Sequence, residues 1–330
     1  MGGTRQWCGR LGKVDNCQVA VYMAYVSRKD RALVNARLYL PEDWAQDRAR
    51  RKAAGVPKNV RFQTRHEQAL EMLDEQGRLL PQAWVTGDDE MGRSAHFRRD
   101  LNDRGERYLL AVPCNMLIRD LEAEPPAYHG RGAPPQRPFQ RVDQWRDSLP
   151  AQAWTRINVR DGEKGPLEVE VVVCRVQTKI GQRTMKYEET LVILRSLDDE
   201  GATKYDFYFS NAPRETPVKE FARVALAAHR VEEAIKRSKS EAGLSHYEVR
   251  KWRGWHHHQA LSLIATWFLV LESHRGKKMD ASPHAAAGPR RHCHAAASRP
   301  PMRHADQNRP RQNTSLAPKR SSSLLPLQST

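Results

Sequence analysis

The apolar positions of this chain fall into two regimes: short strand-like runs bounded by turn residues, and longer stretches with helical spacing. Val19 to Val26 is a near-continuous apolar run of strand length, and Ala36 to Leu40 alternates before Pro41 stops it. Thr64 to Glu75 has helix-forming composition, with Ala69, Leu70, Met72 and Leu73 on or near one face and Gly77 past its end. Ala83 to Thr86 reads as a buried strand that closes at Asp88; a helical stretch follows from Ala95 to Asp103, and Tyr108 to Val112 is a further strand. The order strand, strand, helix, strand, helix, strand describes an α/β layer with a mixed sheet.

Residues 122–140 change character, with Pro125, Pro126, Pro134, Pro135 and Pro138 marking an irregular connection. Beyond it, Val169 to Val176, Glu189 to Leu194 and Tyr205 to Phe209 are β-rich, with a turn at Lys179-Ile180-Gly181-Gln182. Pro217 then opens a helix whose Val218, Phe221, Ala225, Ala228, Val231 and Ile235 form a core-facing stripe ending near Gly243. A second helix, Trp255 to His274, is mostly apolar and is expected to pack behind the first. From Gly276 onward the chain has no Phe, Trp or Tyr and no periodicity, so its last 55 residues are expected to be disordered. The resulting division is a first core part over 1–121, a connection with a β-rich insertion over 122–213, core helices over 214–275 and a basic tail over 276–330.

Charge narrows the class of partner. The net charge is +16, of which +8 lies after Arg275, and a balance of this sign favours polyanions, nucleic acid first and anionic membrane second. Five cysteines without a CxxC pair argue against a disulfide framework and a structural zinc site and fit a reducing cytoplasm. The N-terminal residues lack an apolar signal core, and the longest apolar stretch, Ala260 to Leu271, is too short to span a bilayer.

Two acidic patches carry the candidate chemistry. Asp88 in Gly87-Asp88-Asp89-Glu90-Met91-Gly92 follows a strand, the place where open α/β sheets put their ligands, and Glu232 lies on the long helix. Carboxylates on a strand end and a flanking helix suit Mg²⁺ or Mn²⁺, because hard cations take oxygen ligands and keep positions open for phosphate. The plainer alternatives are a hydrated acidic turn at Asp88, with Asp89 as its rival ligand, and an ion pair of Glu232 with Lys236, four residues on, with Glu233 as substitute. Glu232, Lys236 and Lys239 share one helix face with Arg230 close by, an arrangement suited to metal on one side and DNA phosphate on the other.

His246, Tyr247, Arg250 and Lys251, with Trp252 and Trp255, mix cations with aromatics between the two helices, which suits nucleic-acid backbone or unpaired bases; a loop whose tryptophans anchor in the core fits equally well. The run His256-His257-His258 does not make a zinc site, because consecutive helical residues point about 100° apart. Neither a Ser/His/Asp triad nor a phosphate-binding glycine loop is present.

The string Gln6-Trp-Cys-Gly-Arg-Leu-Gly-Lys-Val-Asp-Asn-Cys-Gln18, the acidic patch at 87–92, Ser210-Asn-Ala-Pro213, Arg230-Val-Glu-Glu233 and Gly243-Leu-Ser-His-Tyr-Glu-Val-Arg250 together resemble bacterial insertion-sequence transposases of the DDE type, closest to the seven-oh-one insertion-sequence branch, kin to the insertion-sequence-four group. The resemblance covers roughly residues 4–275. It implies a ribonuclease-H-like mixed sheet flanked by helices, with a β-rich insertion before the last catalytic helix. It also implies metal-dependent cleavage and joining of double-stranded DNA at terminal inverted repeats and target DNA, with room for a homodimer on DNA, in the cytoplasm at the nucleoid. Asp88 matches the second acid of the triad, Glu232 the third, and Lys239 a phosphate-touching lysine. The family's tyrosine in this helix signature is absent, with Ala225 near its place. The first acid sits upstream of the Gln6 string in the family, so an N-terminally truncated transposase with impaired metal binding and little strand cleavage is expected, the alternative being a non-catalytic DNA-binding remnant that occupies element ends.

Overall fold

Thr4–Cys8 (β1) and Lys13–Cys17 (β2) make an antiparallel hairpin in a sheet of their own, and Ala20–Val26 (β3) and Arg31–Leu38 (β4) pair antiparallel in the main sheet. This computed structural model describes residues 2–8, 11–27, 30–130, 132–133, 135–162, 165–197, 200–280 and 323–327. β4 starts five residues before its apolar alternation suggests. Its polar positions are accommodated by ion pairs, Arg31 to Glu233 at 3.0 Å and Arg37 to Glu75 at 2.5 Å.

Two short helices, Glu42–Gln46 (α1) and Arg48–Ala54 (α2), precede Arg65–Gln76 (α3). α3 begins where a reciprocal cap fixes it: the Thr64 hydroxyl accepts from Glu67 N–H at 3.2 Å and the Glu67 carboxylate accepts from Thr64 N–H at 2.7 Å. Then come Trp84–Gly87 (β5), Asp89–Arg93 (α4), Ala95–Asp103 (α5) and Tyr108–Ala111 (β6). Leu117–Asp120 (β7), Gln140–Arg141 (β8) and Val142–Asp147 (α6) flank the proline-rich connection. Thr155–Gly162 (β9), Gly165–Ile180 (β10), Arg183–Thr184 (β11), Glu189–Leu197 (β12) and Thr203–Ser210 (β13) form the β-rich segment. Val218–Glu241 (α7), Trp252–Asp280 (α8) and Ser323–Leu327 (β14) complete the described elements.

The main sheet runs β4-β3-β14-β5-β6-β13-β12-β10-β7-β8, with β9 and β11 also on β10. β5 and β6 are parallel, and β13 joins β6 antiparallel through Ser210 opposite Leu109, so the β-rich segment extends the same mixed sheet instead of standing beside it. Alternation along β5 and β6 divides the core. Trp84 and Leu109 face α7 with its Phe221, Val224, Val231 and Ile235, whereas Val85 and Leu110 face α3 and α5 through Leu70, Met72, Phe97 and Leu101.

α8 departs from the expected buried helix. Its Thr266 hydroxyl meets Ser238 of α7 at 3.0 Å and Trp267 Nε1 donates to Leu33 O at 2.9 Å, yet Leu261, Ile264, Phe268 and Leu271 remain exposed, because apolar residues surround the helix and the fold covers one side. The expected disordered tail falls largely outside the described residues. Residues 276–280 instead continue α8, and 323–327 enter the sheet as β14. Among the described residues no helix is long and apolar enough to cross a membrane.

Where α5 meets the sheet, a fully buried ion pair joins Arg98 to Glu189 of β12, with Nε to Oε1 at 2.8 Å and Nη2 to Oε2 at 3.2 Å. Tyr108 donates to Oε1 of the same carboxylate at 2.5 Å and the Thr178 hydroxyl donates to its Oε2, while the guanidinium lies 4.9 Å over the Phe209 ring and donates to Gly92 O at 2.5 Å. Burial and the neighbouring carboxylate both push the Tyr108 phenol up, which keeps it a donor. Glu189→Leu leaves the guanidinium buried without its counter-charge and is expected to cost about 3–5 kcal/mol by chemical denaturation. The double variant Arg98→Met, Glu189→Leu should cost less than either single change.

Candidate functional site

Asp88 continues the extended backbone of β5 and caps α4, its Oδ1 accepting from Met91 N–H at 3.2 Å. The two glycines of its motif have a packing cause. A Cβ on Gly92 would lie 2.0 Å from Ala111 O, and one on Gly87 would lie 2.9 Å from the Met91 Cβ, so α4 rests directly on the end of β6. Arg98, reaching Gly92 O, fixes α4 from the other side.

Outside the C-terminal ends of β5 and β6 lies a cavity of about 1080 Å³, walled by Trp7 of the β1–β2 hairpin and lined by Arg65, His66, Asp89, Glu90, Lys204 and Asp206. Arg65 pairs with Glu90, His66 Nε2 is 3.2 Å from Glu90 O, and Lys204 Nζ is 3.1 Å from Asp206. Burial pushes the Asp88 carboxyl up to about 7; Asp89 and Glu90 add to the rise, while the Met91 N–H and Arg65 oppose it. Arg65, His66 and Asp206 were not singled out in the sequence, since their place on the cavity depends on pairings across the sheet.

The second acid rides on α7. Arg230 Nη1 donates to Ser27 O at 2.6 Å and Glu233 pairs with Arg31 at 3.0 Å, both at the β3–β4 connection. Tyr25 donates to Pro81 O at 3.3 Å, which puts that connection at the N-terminal end of β5, away from Asp88. Two residues along a helix turn through about 200°, so Glu232 points to the flank opposite Arg230. That flank also carries His229, whose Nε2 lies 4.0 Å from the carboxylate of Asp206 on the cavity wall. Glu232, Lys236 and Lys239 are exposed on it.

The sequence-based DNA contacts divide. Arg230 is taken up by Ser27, and Lys251 donates to Ala53 O, so both guanidinium and ammonium act as ties within the fold. Tyr247 is half-buried with its ring 5.5 Å from that of His258, whereas His246 and Arg250 are exposed. Trp255 is buried, the core-anchor reading of that tryptophan. His256 Nδ1 lies 2.9 Å from Trp252 O and His258 Nε2 3.1 Å from Gly243 O, so the histidine run diverges.

Oxygen donors crowded at a strand end suit a hard cation, but among the described residues no group of three or more His, Cys, Asp or Glu converges as a metal cage. The described residues therefore do not assemble a complete ligand set around Asp88 or around Glu232.

The raised Asp88 carboxyl has a consequence for stability. Between the ordinary carboxylate value of 3.8 and the folded value of about 7, the folded chain holds a proton that the unfolded chain has released. Stability is therefore lost as pH rises through that window. Asp88→Asn keeps a cap acceptor and removes the titration. It should flatten the dependence of Tm on pH between about 4 and about 7 and give the more stable protein at the upper end, as thermal unfolding in a pH series will read.

The family model described as DDE superfamily endonuclease matches residues 1–166, just over half the chain. The matched stretch contains Asp88 together with Arg65, His66, Asp89 and Glu90 of the cavity, and ends before α7. No curated protein matches the chain. With a mixed sheet flanked by helices and this match over half its length, the chain belongs to the DDE superfamily of endonucleases.

Proposed function

We propose that the chain is a transposase-type protein of the seven-oh-one insertion-sequence branch, acting on double-stranded DNA at element ends in the cytoplasm. Asp88 and Glu232 are the acids that take up Mg²⁺ or Mn²⁺, and the exposed Lys236 and Lys239 lie against phosphate. The observation that supports this reading is the orientation of α7: Arg230 ties one flank to Ser27, and Glu232, about 200° round the helix, shares the other flank with His229, whose Nε2 lies 4.0 Å from Asp206 of the cavity lining. A divalent ion there would polarise a phosphate oxygen and activate the attacking group. The protein's own part is to hold the acids on a capped strand end and a packed helix, and to hold the backbone phosphate with lysines.

A second reading, a DNA-binding protein without cleavage, is favoured by the absence of a three-ligand group among the described residues. The readings part on metal. Under the first, Mn²⁺ binding to the full chain, followed by titration calorimetry, weakens at least about tenfold in Asp88→Asn and in Glu232→Gln, with DNA affinity held. Equal Mn²⁺ binding in either variant removes that acid from the site, and DNA binding with no Mn²⁺ response selects the second reading.

Both readings place phosphate on the same face of α7. Replacing Lys236 and Lys239 together by Ala should reduce the slope of log affinity against log salt by about 1.8, at about 0.9 per lost phosphate contact. An unaltered slope moves the DNA to another surface.

A further inference from the structure

β14 occupies a position that few sheets give to so distant a segment. It lies between β3 and β5, parallel to β3 through Ser323 opposite Tyr22, Leu324 opposite Met23 and Leu327 opposite Val26. It is antiparallel to β5 through Leu324 opposite Gly87, Leu325 opposite Thr86, Pro326 opposite Val85 and Leu327 opposite Trp84. The 42 residues of 281–322 separate it from the end of α8, enough chain to reach from any side of the molecule.

The neighbours require a strand there. With β14 removed, β3 and β5 would face each other across two strand spacings, about 9.6 Å, each with a row of unpaired N–H and C=O groups. With β14 in place, Val21, Met23, Ala24, Trp84, Val85 and Thr86 along those edges are all buried, so its loss would open apolar side chains together with the two unpaired backbone rows. The present occupant is an imperfect filler. Pro326 has no N–H to give in a strand flanked on both sides, a setting that sheets ordinarily deny to proline. The buried Thr86 hydroxyl has no hydrogen-bond partner, and Leu325, its register partner, has no polar side-chain atom to offer it.

We propose that the gap between β3 and β5 is a strand-acceptor site, that Ser323–Leu327 of the same chain fills it as a displaceable strand, and that this occupancy holds the end of β5 from which Asp88 projects. The register places Leu324 opposite Gly87, one residue before Asp88, so loss of the strand frees the backbone on which the acid stands. The inference rests on the fold alone and is independent of the metal reading.

Hydrogen exchange followed by mass spectrometry on the full chain tests it. Amides of Leu324, Leu325 and Leu327 and of Trp84 to Gly87 should exchange at least about 100-fold more slowly than unstructured chain. In Leu324→Asp, Leu325→Asp both segments should lose protection by at least about tenfold, while Thr190 to Leu194 of β12 keeps its own. A synthetic peptide of residues 319–330 added to that variant should restore protection over Trp84 to Gly87. Pro326→Val, which supplies the missing donor, should slow exchange of both segments in the otherwise unaltered chain, and this arm stands even where the double variant does not fold.

Rapid exchange of 323–327 in the unaltered chain overturns the assignment. Failure of the peptide to protect a folded double variant overturns displaceability. Protection that grows with protein concentration, with a dimer in sedimentation, overturns filling by the same chain in favour of strand exchange between copies.

Discussion

The candidate site depends on the buried pair of Arg98 and Glu189 more than on any residue within it. Taking both charges from water is costly, and the pair persists because the other donors and acceptors around it are matched, with Tyr108 and Thr178 on the carboxylate and Gly92 O on the guanidinium. These bonds tie α5, β6, β10 and β12 together at one point. Through Gly92 they also press α4 against β6, where a side chain on that glycine would collide with Ala111 O. The helix that Asp88 caps is thereby held from the sheet side and from the α5 side at once. The position of the acid follows from a long-range ion pair as much as from its own strand.

The same packing accounts for the electrostatics of the site. A rigid α4 keeps Asp89 and Glu90 close to a carboxyl that is itself short of water, and a single nearby guanidinium, Arg65, does not offset the crowding. An acid raised in this way gains from a cation, since positive charge at the cavity relieves burial and repulsion together.

Local signals were legible where local physics decides. The helix read over Thr64 to Glu75, the span Ala95–Asp103 and the stripe of α7 follow from residues within one helix and appear where expected. β10 runs from Gly165 to Ile180, well beyond the apolar core of Val169 to Val176, because β9 and β11 pair with its polar ends. Glu189 and Arg98 lie 91 residues apart, and nothing near either announces the other. Asp88 stood out as a strand-end acid, whereas Arg65, Asp206 and His229 gain their places only through sheet order and the packing of α7. Ser323–Leu327 carries a proline that argues against a central strand, so nothing in its own sequence announces its place between β3 and β5.

Excess positive charge does not by itself define a DNA face, because many cations here are committed within the fold. Arg230 and Lys251 end on carbonyls, and Arg31, Arg37 and Arg65 end on carboxylates. What distinguishes Lys236 is its placement: it is exposed, on the flank of α7 opposite Arg230, one helical turn beyond Glu232. A turn advances about 5.4 Å along the axis. Under the proposed transposase reading, that spacing puts the phosphate-holding ammonium and the metal-holding acid on neighbouring turns of one helix face. Lys239, three residues further, extends the same line by about 4.5 Å along the axis, so the two lysines of the proposed phosphate face follow α7 lengthwise.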